Sequence, residues 1–112
     1  MESTRQKKIS RLIQKELSVI FNQYRQEILP GTMISITIAR ISPDLSEANI
    51  FLSIFPIKDP KDALEIIKSK KGLIRKKLGE ASRNHLRIIP NLHFYLDDSA
   101  AYFEEIDRLL KK

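Results

Sequence analysis

Two runs of alternating, largely β-branched residues, 33–41 and 48–55, lie only a few positions apart. In the first, Ile34, Ile36, Ile38 and Arg40 alternate with Met33, Ser35, Thr37 and Ala39; in the second, Ile50, Leu52 and Ile54 share one side. A period of two marks a strand with one covered face. Between the runs, Ser42-Pro43-Asp44-Leu45 reads as a turn, with proline presetting φ and the aspartate bonding the bend. Strands joined this closely must be antiparallel, because a parallel pair needs a crossover of a dozen or more residues. The hairpin is therefore the fixed point around which the rest of the chain has to pack.

Upstream the period is helical. Ile9, Leu12, Ile13, Leu17, Ile20, Phe21 and Tyr24 fall on one face. Ser3 or Thr4 starts this helix and Pro30-Gly31 closes it. Arg5, Lys7, Lys8, Arg11 and Lys15 crowd its N-terminal half, where cations oppose the helix dipole, so these charges serve something other than helix stability. Downstream, Asp59 and Pro60 supply an N-cap and a first helical residue, and Ala63, Ile66 and Ile67 begin an apolar stripe. Gly72 interrupts it before Leu73, Ile74, Leu78 and Ala81 resume. A mid-helix glycine costs about 1 kcal/mol against alanine, which predicts a kink or break there between two helices. Pro90 ends the helical region, residues 93–96 form a third strand, and residues 99–110 form a last helix capped by Asp98 or Ser99. The order helix, strand, strand, helix pair, strand, helix predicts an α+β fold, with three strands covered on one face by helices. The other face is left to solvent or to a partner.

At 112 residues the chain is read as one domain, 1–112. It has no cysteine, which excludes disulfides, zinc-thiolate sites and thiol nucleophiles. No apolar run approaches the roughly 20 residues that cross a bilayer, so a soluble, cytoplasmic protein is expected. Catalysis is not indicated. His85 and His93 lack carboxylates at metal-ligand spacing, and Asp97-Asp98 suits capping of the last helix better than acid–base work. With three glycines in all, neither GxxxxGK[ST] nor GxGxxG is present. The expectation is a non-enzyme with no metal, no cofactor and no small-molecule substrate.

Charge is the informative feature. Lys68, Lys70, Lys71, Arg75, Lys76, Lys77, Arg83 and Arg87 face the single acid Glu80, a local +7 in a chain whose net charge is +6. A concentrated basic patch is the electrostatic footprint of a polyanion binder. On a helical wheel Lys68, Lys71, Arg75, Lys76, Arg83 and Arg87 share a broad sector opposite Ile67, Ile74, Leu78 and Ala81. The candidate RNA contacts are Lys68, Lys70, Lys71, Arg75, Lys76, Arg83 and Arg87, with Arg5, Lys8 and Arg11 as secondary candidates. Arg75 and Arg87 are the ones suited to bidentate phosphate binding. Phe94 and Tyr95 are the only aromatics beside the patch in sequence, which favours backbone and shape recognition over base reading.

Three stretches resemble one family. RQKKISRLIQKELSVIF, ISPDLSEANIFLSIF and GLIRKKLGEASRNHLRIIPNLHFYLDDS are similar to the opening helix, the hairpin and the signature segment of the ribosome-binding factor A family. The resemblance implies a type II KH-like domain with a three-stranded mixed sheet packed on one face by helices and an extra C-terminal helix. It also implies a monomer that binds the free small (30S) ribosomal subunit through 16S rRNA and assists late maturation, including 5′-end processing, a role that often goes with cold adaptation. KH domains grip nucleotides with a Gly-x-x-Gly loop; the family has an Ala-x-Gly kink instead. Here the equivalent is Lys70-Lys71-Gly72, in which lysine replaces the alanine and adds charge where phosphate would lie. The alternatives are a general basic RNA-binding or RNA-chaperone protein without subunit selectivity, a module docking an acidic protein, and a solvated helix face with no partner.

Overall fold

The hairpin forms as its alternation requires. In the computed structural model, which describes residues 3–56, 59–83 and 86–97, β1 (Met33–Ile41) pairs antiparallel with β2 (Glu47–Phe55). Asp44 organises the turn: its carboxylate accepts from the Ser42 and Ser46 hydroxyls, each at 2.7 Å, and from the Ser46 N–H at 3.1 Å. These bonds to the charged form hold the Asp44 pKa down to about 2 from its ordinary 3.8. Leu45 completes the bend with φ at 63°.

The alternation of β1 fails beyond Ile36. The register slips between Ile36 and Ile38, so a bulge turns Ile38 outward and brings Ile41 into the core. Beside the bulge the Gln14 side chain donates to the Ile36 carbonyl at 3.1 Å. At the strand's end Gln6 donates to the Ile41 carbonyl at 3.1 Å, and Ser10 Oγ accepts the Ile41 N–H at 3.2 Å. Gln6, Ser10 and Gln14, spaced at i, i+4 and i+8, thus satisfy backbone groups that an edge strand would otherwise leave open.

These three side chains belong to α1 (Thr4–Gln23), whose Ser3 N-cap makes a capping box with Gln6. The helix ends earlier than predicted, at Tyr24, and a single turn, α2 (Arg25–Ile28), carries the chain on toward Pro30-Gly31. Ile13, Leu17, Ile20 and Phe21 are buried against the sheet.

The return from β2 runs through α3 (Pro60–Ser69) and α4 (Lys71–Ser82) to β3 (Asn91–Leu96), which pairs parallel with β2. A two-helix crossover is the length of chain that a parallel partner demands. The sheet order is β1-β2-β3, mixed as expected. α1 lies along β1, α3 over β3, and α4 beside α1. Between the layers Ile50, Leu52, Leu92 and Phe94 meet Leu17, Phe21, Ile67, Ile74 and Leu78. Phe21 meets Phe94 edge to face at 6.2 Å, an arrangement worth about 0.5–1.5 kcal/mol beyond its area.

Two expectations for α4 change. Ala81 is exposed, and Ser82 takes the buried position, its hydroxyl bonded to the Leu78 carbonyl. The helix also stops at Ser82 instead of running toward Pro90, so residues 86–90 form an irregular connection into β3. His85, the Asp98 and Ser99 caps and the helix predicted over 99–110 lie outside the described residues.

Candidate nucleic-acid interface

α3 starts where the sequence indicates, with the Asp59 carboxylate accepting the Asp62 N–H at 3.2 Å and Pro60 at the first helical position. Ala63 and Ile67 fix its inner face. The break to α4 falls at Lys70, two residues before Gly72. Lys70 (φ −97°, ψ 9°) donates its N–H to the Ile67 carbonyl at 3.0 Å and accepts the Ile74 N–H at 3.0 Å. One residue therefore closes one helix and opens the next. Gly72 sits exposed in the first turn of α4, outside the positive-φ region, and a Cβ added there meets nothing within 4 Å.

This corner concentrates charge. Lys68 and Lys70 are exposed and Lys71 is half-buried, three cations within four residues. Lys68 stands 3.8 Å from Glu65 in an exposed pair, a geometry that contributes little against solvent. Lys68 and Lys71 share a shallow recess with His93, Phe94 and Tyr95 of β3, so the corner and the sheet edge form one surface. Fixed cations of this kind neutralise phosphates, and each contact steepens the salt dependence of binding.

The remaining basic residues divide. Lys76 on α4 and Arg83 at its C-cap are exposed, seven residues apart and so on one face. Arg75, expected to grip phosphate, turns inward and is half-buried. Its Nε donates to the Pro90 carbonyl at 3.2 Å and its Nη2 to the Ile89 carbonyl at 2.9 Å. Arg75 thus ties the connection into β3 back onto α4. Lys77 is held as well, with Nζ 4.9 Å from the Tyr24 ring centroid and 3.6 Å from Glu80. Tyr24 first and Glu80 second raise the Lys77 pKa. Arg87 leaves the helical array and joins Arg5 across a groove of about 390 Å³, floored by Ile9, Ile41 and Leu45. Lys8 and Arg11 are exposed on α1. The single helical face seen on the wheel becomes three surfaces: the α3–α4 corner, the outer side of α4, and the Arg5–Arg87 groove.

The uncovered face of the sheet adds a feature that sequence distance hid. Phe51 and Tyr95 are register partners across β2 and β3, and their rings stack at 5.2 Å with planes 27° apart. Parity along each strand places both opposite the core residues, but only the β2–β3 register brings them together. At one end of the same face His93 Nε2 lies 2.8 Å from Glu47 Oε2. Among the described residues no three His, Asp or Glu side chains converge as a metal site would require, and no helix is long and apolar enough to cross a membrane.

Comparison with known proteins points one way. A family model described as ribosome-binding factor A matches residues 5–110. The ribosome-binding factor A of Cytophaga hutchinsonii is 45% identical over 112 residues, covering 100% of this chain and 84% of that protein. That of Flavobacterium johnsoniae is 42% identical, covering 98% of this chain and 85% of its own. The crystal structure of ribosome-binding factor A from Thermus thermophilus has the same fold, with a TM-score of 0.68 at 16% identity, over 81% of this chain and 94% of that one. A Thermus thermophilus homology model fitted into the cryo-EM map of a 30S complex gives a TM-score of 0.61 at 17% identity, over 77% and 88% of the two chains.

Proposed function

This chain belongs to the ribosome-binding factor A family, and on that premise we propose that it binds the free small ribosomal subunit through 16S rRNA and assists its late maturation, including 5′-end processing. The observation that carries this reading is the α3–α4 corner, where Lys68 and Lys71 line a recess with the edge strand and Lys70 stands exposed between them in sequence. Three cations at one helix junction can neutralise several phosphates, which a nucleic-acid backbone supplies in series.

The proposed role is to bind, without chemistry on the substrate. A protein that binds one arrangement of the precursor rRNA better than another shifts the population by its differential affinity. The 5′ end then meets its processing nuclease in the favoured arrangement. The corner holds the backbone, while Lys76 on α4, Arg83 at its C-cap and Arg5 with Arg87 at the groove extend the contact as further phosphate ligands. The chain acts as a monomer in the cytoplasm. Depleting it in cells and mapping 16S rRNA 5′ ends by primer extension tests the proposal. Accumulation of 5′-extended precursor in free small subunits is expected, and unchanged 5′ ends with normal subunit levels would refute the maturation role.

A further inference from the structure

Helices cover one face of the sheet and leave the other open, and the composition of that open face is specific. Tyr95 is 44% exposed, Phe55 74% and Met33 64%, with Met33 and Phe55 register partners across β1 and β2. The outward-turned Ile38, register partner of Phe51, is the fourth exposed apolar residue, and Arg40 shares the face with the polar Ser35, Thr37, Asn49, Ser53 and Asn91. Among the strand residues of this face Glu47 is the one acid, and His93 already engages it. A cross-strand aromatic pair stabilises a sheet by itself, and that accounts for the half-buried Phe51. It does not account for the exposure of Tyr95, or for Tyr95 sharing a recess with Lys68 and Lys71. Lys71 has no ion-pair partner among the described residues.

An exposed stacked ring beside fixed cations has the chemistry of a single-strand reader. The ring takes the π-face of any unpaired base, and the lysines take the phosphates on either side. An acidic protein would account for the lysines but does not require a stacked ring at the sheet edge. We propose that the open sheet face is a single-stranded RNA surface, on which an unstacked base lies against the Tyr95–Phe51 pair while Lys68 and Lys71 hold the adjoining phosphates. This deepens the RNA-binding reading above and rests on it. The interface then has two modes: shape-based contact by helix-borne cations, and capture of one splayed base at the β3 edge.

Fluorescence anisotropy with a labelled ten-nucleotide oligouridine and a ten-pair RNA duplex, using the full chain, tests this directly. Tyr95→Leu is expected to weaken oligouridine binding about 5- to 150-fold, the range of one lost base stack, and to leave duplex binding unchanged. Tyr95→Phe, which keeps the ring, is expected to restore oligouridine binding. Lys71→Glu is expected to weaken binding to both RNAs. Circular dichroism melts confirm that each variant is folded. Oligouridine binding that is absent, or unaffected by Tyr95→Leu, overturns the proposal. So does self-association that Tyr95→Leu abolishes, since the face would then be covered by a second copy. If Tyr95→Leu is silent while Lys71→Glu still releases small subunits, only the sheet-face inference falls. If Lys71→Glu is silent too, the reading of the corner falls with it.

Discussion

Replacing Arg75 with methionine separates structural cations from RNA-binding ones. The change keeps an unbranched side chain of similar reach and removes the guanidinium that donates to the Ile89 and Pro90 carbonyls at 2.9 and 3.2 Å. Hydrogen bonds from a charged donor contribute about 1.5–3 kcal/mol each. Arg75 is half-buried and solvent competes for it, so each bond contributes at or somewhat below the low end and the pair together contributes about 2–3 kcal/mol. For a chain of 112 residues, an unfolding entropy of about 2.1 cal/mol/K per residue converts each kcal/mol into about 4 °C. Thermal melts followed by circular dichroism should therefore show Arg75→Met unfolding about 8–13 °C below the parent. Below its melting temperature the variant should still bind RNA, with a loss well short of that caused by Lys71→Glu. A melting temperature unchanged within error, together with a tenfold or greater loss of RNA affinity, would refute the clamp and return Arg75 to the phosphate contacts.

Gly72→Ala should raise stability by about 0.5–1 kcal/mol, read as a higher melting temperature, because the site is helical and open, whereas a fall would show that the helix break depends on glycine's freedom. Leu78→Ala, at a position with no exposed area, should lower stability by about 2–5 kcal/mol in urea titrations, and a negligible change would mean the register of α4 is wrong. The Asp44 turn should show in acid: its folded pKa lies below its ordinary value, so its contribution is complete above 3.8 and lost as pH falls through about 2. The stability gap between parent and Asp44→Asn should accordingly close over that interval, and a gap constant down to pH 2 would argue against the carboxylate holding the turn.

Local signals were enough where local physics decides. The hairpin, a first helix capped at Ser3 or Thr4, the Asp59-Pro60 helix start and the third strand from residue 93 follow from period, capping residues and turn chemistry within a few residues of themselves. The structure caps at Ser3 and begins the strand at Asn91. The buried roles of Ile67, Ile74 and Leu78 follow from the same helical spacing. Departures arose where a distant group intervened. Ile38 left the core because the bulge beside Gln14 changes the strand's parity.

The basic surface shows the same division. Charge counting found the basic segment, yet a helical wheel cannot tell a guanidinium facing solvent from one turned onto two carbonyls, which is where Arg75 lies. Arg87 moved because α4 ends at Ser82, which brings it to Arg5, a residue far away in sequence. Phe51 went unnoticed because its partner Tyr95 lies on another strand, and their stacking exists only through the parallel register. Parity along β2 and β3 was the available clue, since it places both rings opposite the core.

The central claim, that the α3–α4 corner binds the small subunit through RNA phosphates, is tested most directly by co-sedimentation. The parent and a Lys70→Glu, Lys71→Glu variant are each mixed with free small subunits, large subunits and whole ribosomes across a salt series. The expected result is that the parent pellets with free small subunits alone, that this binding weakens steeply with salt, and that the variant stays in the supernatant while melting like the parent. Equal binding of the parent to all three particles, or a charge-reversed variant that still pellets with small subunits, would contradict it.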